Sequence, residues 1–230
     1  MSIETTVTCR PFDSEKKTNY SWLLGLIMVA VLALGWKYPL LGFIVPIAMG
    51  TGVAGGIFRG RWVCGNLCPR GSFLDSWFSL VASENDAPAI LRKSGLRWGL
   101  LVLLMGFMAF RLAQNPGEWQ HWGYVFWQMC LMTTLVAVAL GLRYRARGWC
   151  MICPVGTMAG SIGARKYPLQ VDASCKACGL CESRCPMQLD IVKYRAAGFQ
   201  SEGDCVKCSS CMQACPSKTV LSWPNRDGSS

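Results

Sequence analysis

Four apolar segments set the limits on what this chain can fold into: residues 20–36, 40–58, 95–110 with one further turn, and 122–142. A helix needs roughly 17–25 apolar residues to cross a bilayer, and these runs meet or approach that length. In hydrocarbon every backbone polar group must be paired internally, which restricts such segments to helices. Only Lys37-Tyr38-Pro39 separates the first two, so they form a tight hairpin, and RLAQNPGEWQH joins the third and fourth. The composition agrees: 52% of residues are hydrophobic and only 16% are charged.

The net charge of +10 would suit nucleic acid if the basic residues formed one face. Instead they sit beside the apolar runs. Arg59, Arg61, Arg70, Arg92, Lys93 and Arg97 flank the loop between segments two and three. Arg143, Arg145 and Arg147 follow segment four, with Arg165 and Lys166 soon after. The connections on the other side carry only Lys37 and Arg111. The positive-inside bias therefore predicts a multi-pass protein of the bacterial cytoplasmic membrane, with both termini and the central loop in the cytoplasm. It excludes nucleic acid as a partner and makes membrane lipid one. Within the central loop, Phe73, Leu74, Trp77, Phe78 and Val81 share one helical face, which predicts a helix lying on the membrane surface. In segment two, Gly52 and Gly56 at i, i+4 predict close helix packing.

After Pro168 the composition becomes that of a soluble module. Cys175, Cys178, Cys181 and Cys185-Pro186 form C-x2-C-x2-C-x3-C-P, and Cys205, Cys208, Cys211 and Cys215-Pro216 repeat it. This is the pattern of a two-cluster bacterial ferredoxin, in which the fourth cysteine of each run ligates the other cluster. One [4Fe–4S] cluster is then held by Cys175, Cys178, Cys181 and Cys215, and the other by Cys205, Cys208, Cys211 and Cys185. Zinc ribbons need no third cysteine at that spacing.

Two further cysteine pairs follow the apolar hairpins. Residues 59–73 read RGRWVCGNLCPRGSF, and residues 145–158 read RARGWCMICPVGTM. Each has arginine, tryptophan, a cysteine pair and C-P-x-G, so the membrane part is a tandem repeat of hairpin plus C-P motif (64–69 and 150–154). Parallel repeats of this kind are related by a pseudo-twofold along the membrane normal. Such an axis would bring Cys64 and Cys68 opposite Cys150 and Cys153, a sulfur set suited to an iron–sulfur cluster or a single metal ion. A redox-active dithiol within each pair and inert packing are the competing readings.

The expected architecture follows. Residues 1–19 are an N-terminal segment. Residues 20–168 form an all-α membrane domain, a four-helix transmembrane bundle of two tandem hairpins. Residues 169–230 form a small α+β ferredoxin module. In its four spans, its duplicated C-P motif and its C-terminal module the chain resembles the membrane-bound polyferredoxins of the NapH type, related to the membrane parts of NosR and CcoG. The resemblance implies electron transfer between the quinone pool, or a membrane partner, and redox protein subunits such as ferredoxin-like, cytochrome or oxidoreductase chains. It implies a non-catalytic subunit of a membrane oxidoreductase of quinol dehydrogenase type. The alternative is a metal-handling or maturation protein whose C-P cysteines bind or reduce copper, with the clusters as electron source. A single histidine, His121, argues against bis-histidine haem.

Overall fold

A computed structural model describes residues 19–78, 81–83, 85–200, 202–217 and 219–224. Of the expected N-terminal segment only Asn19 falls among them. It opens α1 (Asn19–Leu34), and a 3-10 turn (Pro39–Phe43) then leads into α2 (Ile44–Arg59). The first C-P motif folds as a one-turn helix, α3 (Trp62–Asn66), followed by α4 (Pro69–Phe73). The second hairpin is α5 (Ser94–Gln114) and α6 (Trp119–Arg143), and its C-P motif is α7 (Gly148–Ile152) followed by α8 (Pro154–Gly163). The repeat in sequence is thus a repeat in structure: two hairpins, each ending in a short helix, a cysteine and a proline-led helix.

Three helical stretches are long and apolar enough to cross a membrane: Pro39–Arg59, Ser94–Gln114 and Trp119–Arg143. Helix α1 is apolar but has 16 residues, about 24 Å at 1.5 Å per residue against a hydrocarbon core of about 30 Å. Its C-terminal end stops at Gly35, which lies in the turn beneath the Trp127 ring. Val102, Leu103, Phe107 and Phe110 on α5 are exposed, as befits side chains that face lipid.

Glycine spacing lets two helices from opposite repeats approach closely. A Cβ added at Gly56 would stand 2.9 Å from the Ala159 Cα, and one at Gly52 2.8 Å from Val155 Cγ1, so α2 of the first repeat lies directly on α8 of the second.

The expected surface helix is different in the structure. After α4 the chain widens into a π-helical turn, Leu74–Phe78, and Leu74 is wholly buried against Ala137, Trp149 and Ile152. Trp77 stacks on Trp22 at 5.7 Å. Leu74, Trp77 and Phe78 therefore pack on α1 and α6, while Val81 is exposed and residues 79–80 of the expected helix lie outside the described residues. An amphipathic pattern looks the same whether its apolar face meets lipid or protein.

The C-terminal module has a three-stranded antiparallel sheet in the order β2-β1-β3, with β1 Leu169–Val171, β2 Phe199–Gln200 and β3 Leu221–Ser222. Leu169 and Val171 point inward and Gln170 outward, the period-2 alternation of a sheet with one covered face. Two short helices, α9 (Leu180–Ser183) and α10 (Ser210–Ala214), complete it. The module's core is continuous with the membrane domain: Met151 belongs to it, and Cys64 and Cys150 pack against it.

Candidate iron–sulfur sites

The two cysteine runs of the module wind in the same way. In the first, Ala177 and Gly179 have φ of 54° and 76°, and in the second Lys207 and Ser209 have 54° and 62°. Left-handed residues on either side of the middle cysteine turn the backbone around a point, so that successive thiols face one centre. Cys185, Cys205, Cys208 and Cys211 line a single cavity of about 20 Å³. The fourth cysteine of one run therefore sits among the first three of the other. Cys181 interacts with Cys175 and Cys178. The Cys215 thiol faces the Ser217 carbonyl at 3.2 Å, and Cys215 packs against the same core as Cys175 and Cys181.

Burial pushes the Cys181 and Cys205 thiols up to about 11, and raises Cys185 and Cys211 as well, with neighbouring thiols adding to the rise at Cys181, Cys205 and Cys211. Apolar surroundings of this kind suit thiolates only when a metal neutralises them, so loading releases protons. When bound, iron–sulfur clusters supply one-electron transfer.

The membrane cysteines also converge. Cys64, Cys68, Cys150 and Cys153 all line one cavity of about 160 Å³, whose walls continue along α1, α2, α5 and α6. The second cysteine of each pair, Cys68 or Cys153, is the N-cap of the proline-led helix after it, with ψ of 117° and 129°. Proline explains both features, because it pushes the preceding residue out of the helical region and fills N1 without loss of a hydrogen bond. The unequal spacing of the two pairs is absorbed locally: the extra residue, Leu67, is the C-cap of α3. Burial raises Cys64 to about 11 and Cys150 to about 12, against the lowering effect of nearby arginines.

Two arginines missed in the sequence reading organise this site. Arg61 and Arg147, each three residues before the first cysteine of its pair, are 2% and 1% exposed. Arg61 had been placed at the membrane interface with the other basic residues, but here it is interior. The two are reciprocal. Arg61 donates to the Cys150 carbonyl of the other repeat, and Arg147 donates to the Gly65 carbonyl at 3.3 Å. The glycine of the second C-P-x-G makes room for the opposite arginine, since a Cβ at Gly156 would fall 2.4 Å from Arg61 Nη2, whereas a Cβ at Gly71 would meet first the Cys64 carbonyl of its own repeat, at 3.1 Å. Carboxylates partner both cations. Arg147 Nε donates to Asp75 at 2.8 Å, and Arg61 Nη1 donates to Asp204 at 3.1 Å. The sequence signal was present, an arginine at the same offset in each repeat, but its depth was not.

Asp204 lies beside Cys205 and fastens the module to the membrane loops. Arg97 grips it with two bonds of 2.7 Å. Arg92 donates to the Met187 carbonyl at 2.8 Å, and Lys207 Nζ to the Arg59 carbonyl at 2.7 Å, where the C-terminal end of α2 favours a cation. Gly65 abuts Val206 so closely that a Cβ would stand 1.9 Å from its carbonyl oxygen. The module and the loops carrying both C-P motifs thus share one side of the molecule.

Burial opposes ionisation of Asp204, but the hydrogen bonds from Arg97 and the charges of Arg61 and Arg97 outweigh it and hold the carboxyl below its ordinary range. A depressed folded-state pKa contributes stability above the unfolded value and loses it as pH falls through the folded one. Docking is therefore expected to be insensitive to pH between 8 and 5 and to weaken below about pH 4. Limited proteolysis of the link between α8 and β1 across that range checks it.

The comparisons with known proteins fall on these same segments. Residues 41–84 and again 126–169 match the family described as "4Fe-4S binding domain", and residues 174–220 match "4Fe-4S dicluster domain". The chain is therefore an iron–sulfur protein with ferredoxin-type domains. One family matches the second helix and the C-P motif of each hairpin, which independently marks the duplication. Among curated proteins it is similar to two from Methanocaldococcus jannaschii. The uncharacterized protein MJ0749 is 26% identical over 84% of this chain and 81% of its own, and the uncharacterized protein MJ0750 is 23% identical over 73% of each. No solved structure matches.

Proposed function

We propose that this chain is a membrane electron-transfer subunit of the NapH type. It relays electrons between the quinone pool, or a membrane partner, and redox protein subunits through two [4Fe–4S] clusters. Cys175, Cys178, Cys181 and Cys215 hold one cluster, and Cys205, Cys208, Cys211 and Cys185 hold the other. In this reading α1 joins the three longer helices as a fourth span of the bundle, and the module and basic loops face the cytoplasm at the bacterial inner membrane.

One observation carries the reading. The second cysteine run is clamped, through Asp204 and Val206, over the loops that close an apolar cavity between the helices. That cavity has an apolar body, formed by residues such as Val45, Leu104, Met108 and Phe126, and a polar end at Arg70 and Thr133, which bond to each other at 2.8 Å. A long apolar body with a few convergent donors suits a quinone headgroup and the start of its tail.

The test uses dithionite-reduced protein in liposomes, oxidised by a lipid-soluble quinone or by water-soluble ferricyanide. Met129→Trp fills the cavity, and a loss of about 1–3 kcal/mol in quinone binding corresponds to roughly 5- to 150-fold in affinity. Reoxidation by quinone should slow accordingly while reoxidation by ferricyanide stays the same. Equal rates for variant and wild type with both oxidants remove the cavity from the path.

A copper-handling role is the second reading. What favours it is that Met28, Met49, Met105, Met108 and Met129 line the cavity that also holds the four cysteines, and thioether and thiolate donors together select Cu(I).

A further inference from the structure

We propose that Cys64, Cys68, Cys150 and Cys153 jointly hold one [4Fe–4S] cluster, shared between the two repeats and distinct from the clusters of the ferredoxin module. The family match assigns cluster binding to each repeat separately. Here the two repeats make one site, with two thiols from each.

The first argument is position. Four thiols from segments more than 80 residues apart in sequence line a single cavity, and Cys64 interacts with Cys68 and Cys153 while Cys150 interacts with Cys153 and Cys68. The second is the donor set. Three buried N–H groups around the thiols have no hydrogen-bond partner: Arg61 Nε, Arg147 Nη1 and Trp149 Nε1. Arg61 and Trp149 line the cavity themselves. Unsatisfied buried donors are costly, and thiolates and cluster sulfides are the acceptors that would satisfy them.

Charge gives the third argument. Two buried guanidinium groups flank the site from opposite repeats, each already tied to one carboxylate. A cubane on four thiolates carries net negative charge, which that pair of cations tolerates where neutral walls would not. The thiols surround a space, and that arrangement suits a guest of several atoms.

The site is also placed to exchange electrons. Cys64 and Cys150 pack against the same core as Cys205 and Cys208, and Gly65 beside Cys64 abuts Val206 beside Cys205. This proposal does not depend on the quinone: the cluster takes the cysteine end of the cavity and leaves its apolar body along α1, α2, α5 and α6, and the test below never uses quinone.

Iron and acid-labile sulfide are measured on anaerobically purified full-length protein, with EPR of the reduced state. About twelve irons per chain are expected, falling to about eight in Cys64→Ser/Cys150→Ser with the ferredoxin signals retained. Cys130→Ser, which alters the same cavity without touching the four ligands, should keep about twelve. About eight irons in the wild type overturns the proposal without reference to any variant. So does a wild-type count that the double variant leaves unchanged. Eight irons together with copper that the double variant loses also overturns it, in favour of the copper reading.

Discussion

Cys185→Ser should remove the iron–sulfur cluster that belongs to the other cysteine run. Cys185 shares its cavity with Cys205, Cys208 and Cys211 and not with the run it follows in sequence. Loss of this ligand should lower the iron content by about four per chain and destabilise the module, because binding of a structural metal is folding free energy, on the order of 10 kcal/mol in small metal domains. The module has little else: its sheet strands are two or three residues long, and small domains bury too little surface to stand alone. A double substitution identifies the cluster. Cys185→Ser/Cys205→Ser should lose no more iron than either single change, because both act on one site. Cys185→Ser/Cys178→Ser should lose about twice as much. The reverse pattern would mean that each run ligates its own cluster.

Arg147→Ala should cost the membrane domain about 3–5 kcal/mol, the usual range for breaking a buried ion pair by removing one partner. The side chains of Arg147 and Asp75 are 1% and 12% exposed, so water cannot replace the lost charge. The same change removes the bond to Gly65 that ties the second repeat to the first. Thermal unfolding in detergent, followed by helical circular dichroism, reads the effect. Arg147→Ala/Asp75→Asn should recover part of it, since the carboxylate then no longer needs a counter-charge. An exposed arginine of the same loops, such as Arg143, should change stability by less than about 0.5 kcal/mol.

The parts of this fold that were legible in the sequence are those where one residue type has one physical use. Charge-free length placed α2, α5 and α6 to within a few residues, because hydrocarbon admits little besides helix. The ferredoxin spacing brought out the two runs, and Gly52 and Gly56 pointed to the close contact with α8. What escaped depends on partners distant in sequence. Arg61 and Arg147 looked like the other interfacial cations, since nothing local distinguishes an arginine that snorkels from one whose counter-charge lies 143 positions away, as Asp204 does for Arg61. The stretch from Phe73 to Phe78 kept its amphipathic pattern but turned its apolar side to α1 and α6, where Leu74 found a filled core. The C-P-x-G glycines were visible as a repeat. The reason for Gly156, clearance for Arg61 of the first repeat, appears only when the two halves are seen together.

The relay reading is tested most directly with liposomes that carry a lipid-soluble quinone in the bilayer and the protein in one orientation, its module outward. A reduced viologen confined to the outside serves as electron donor. The account predicts quinone reduction that requires the protein, scales with its amount, and disappears in Cys205→Ser. Clusters that the viologen reduces fully while the bilayer quinone stays oxidised would contradict it.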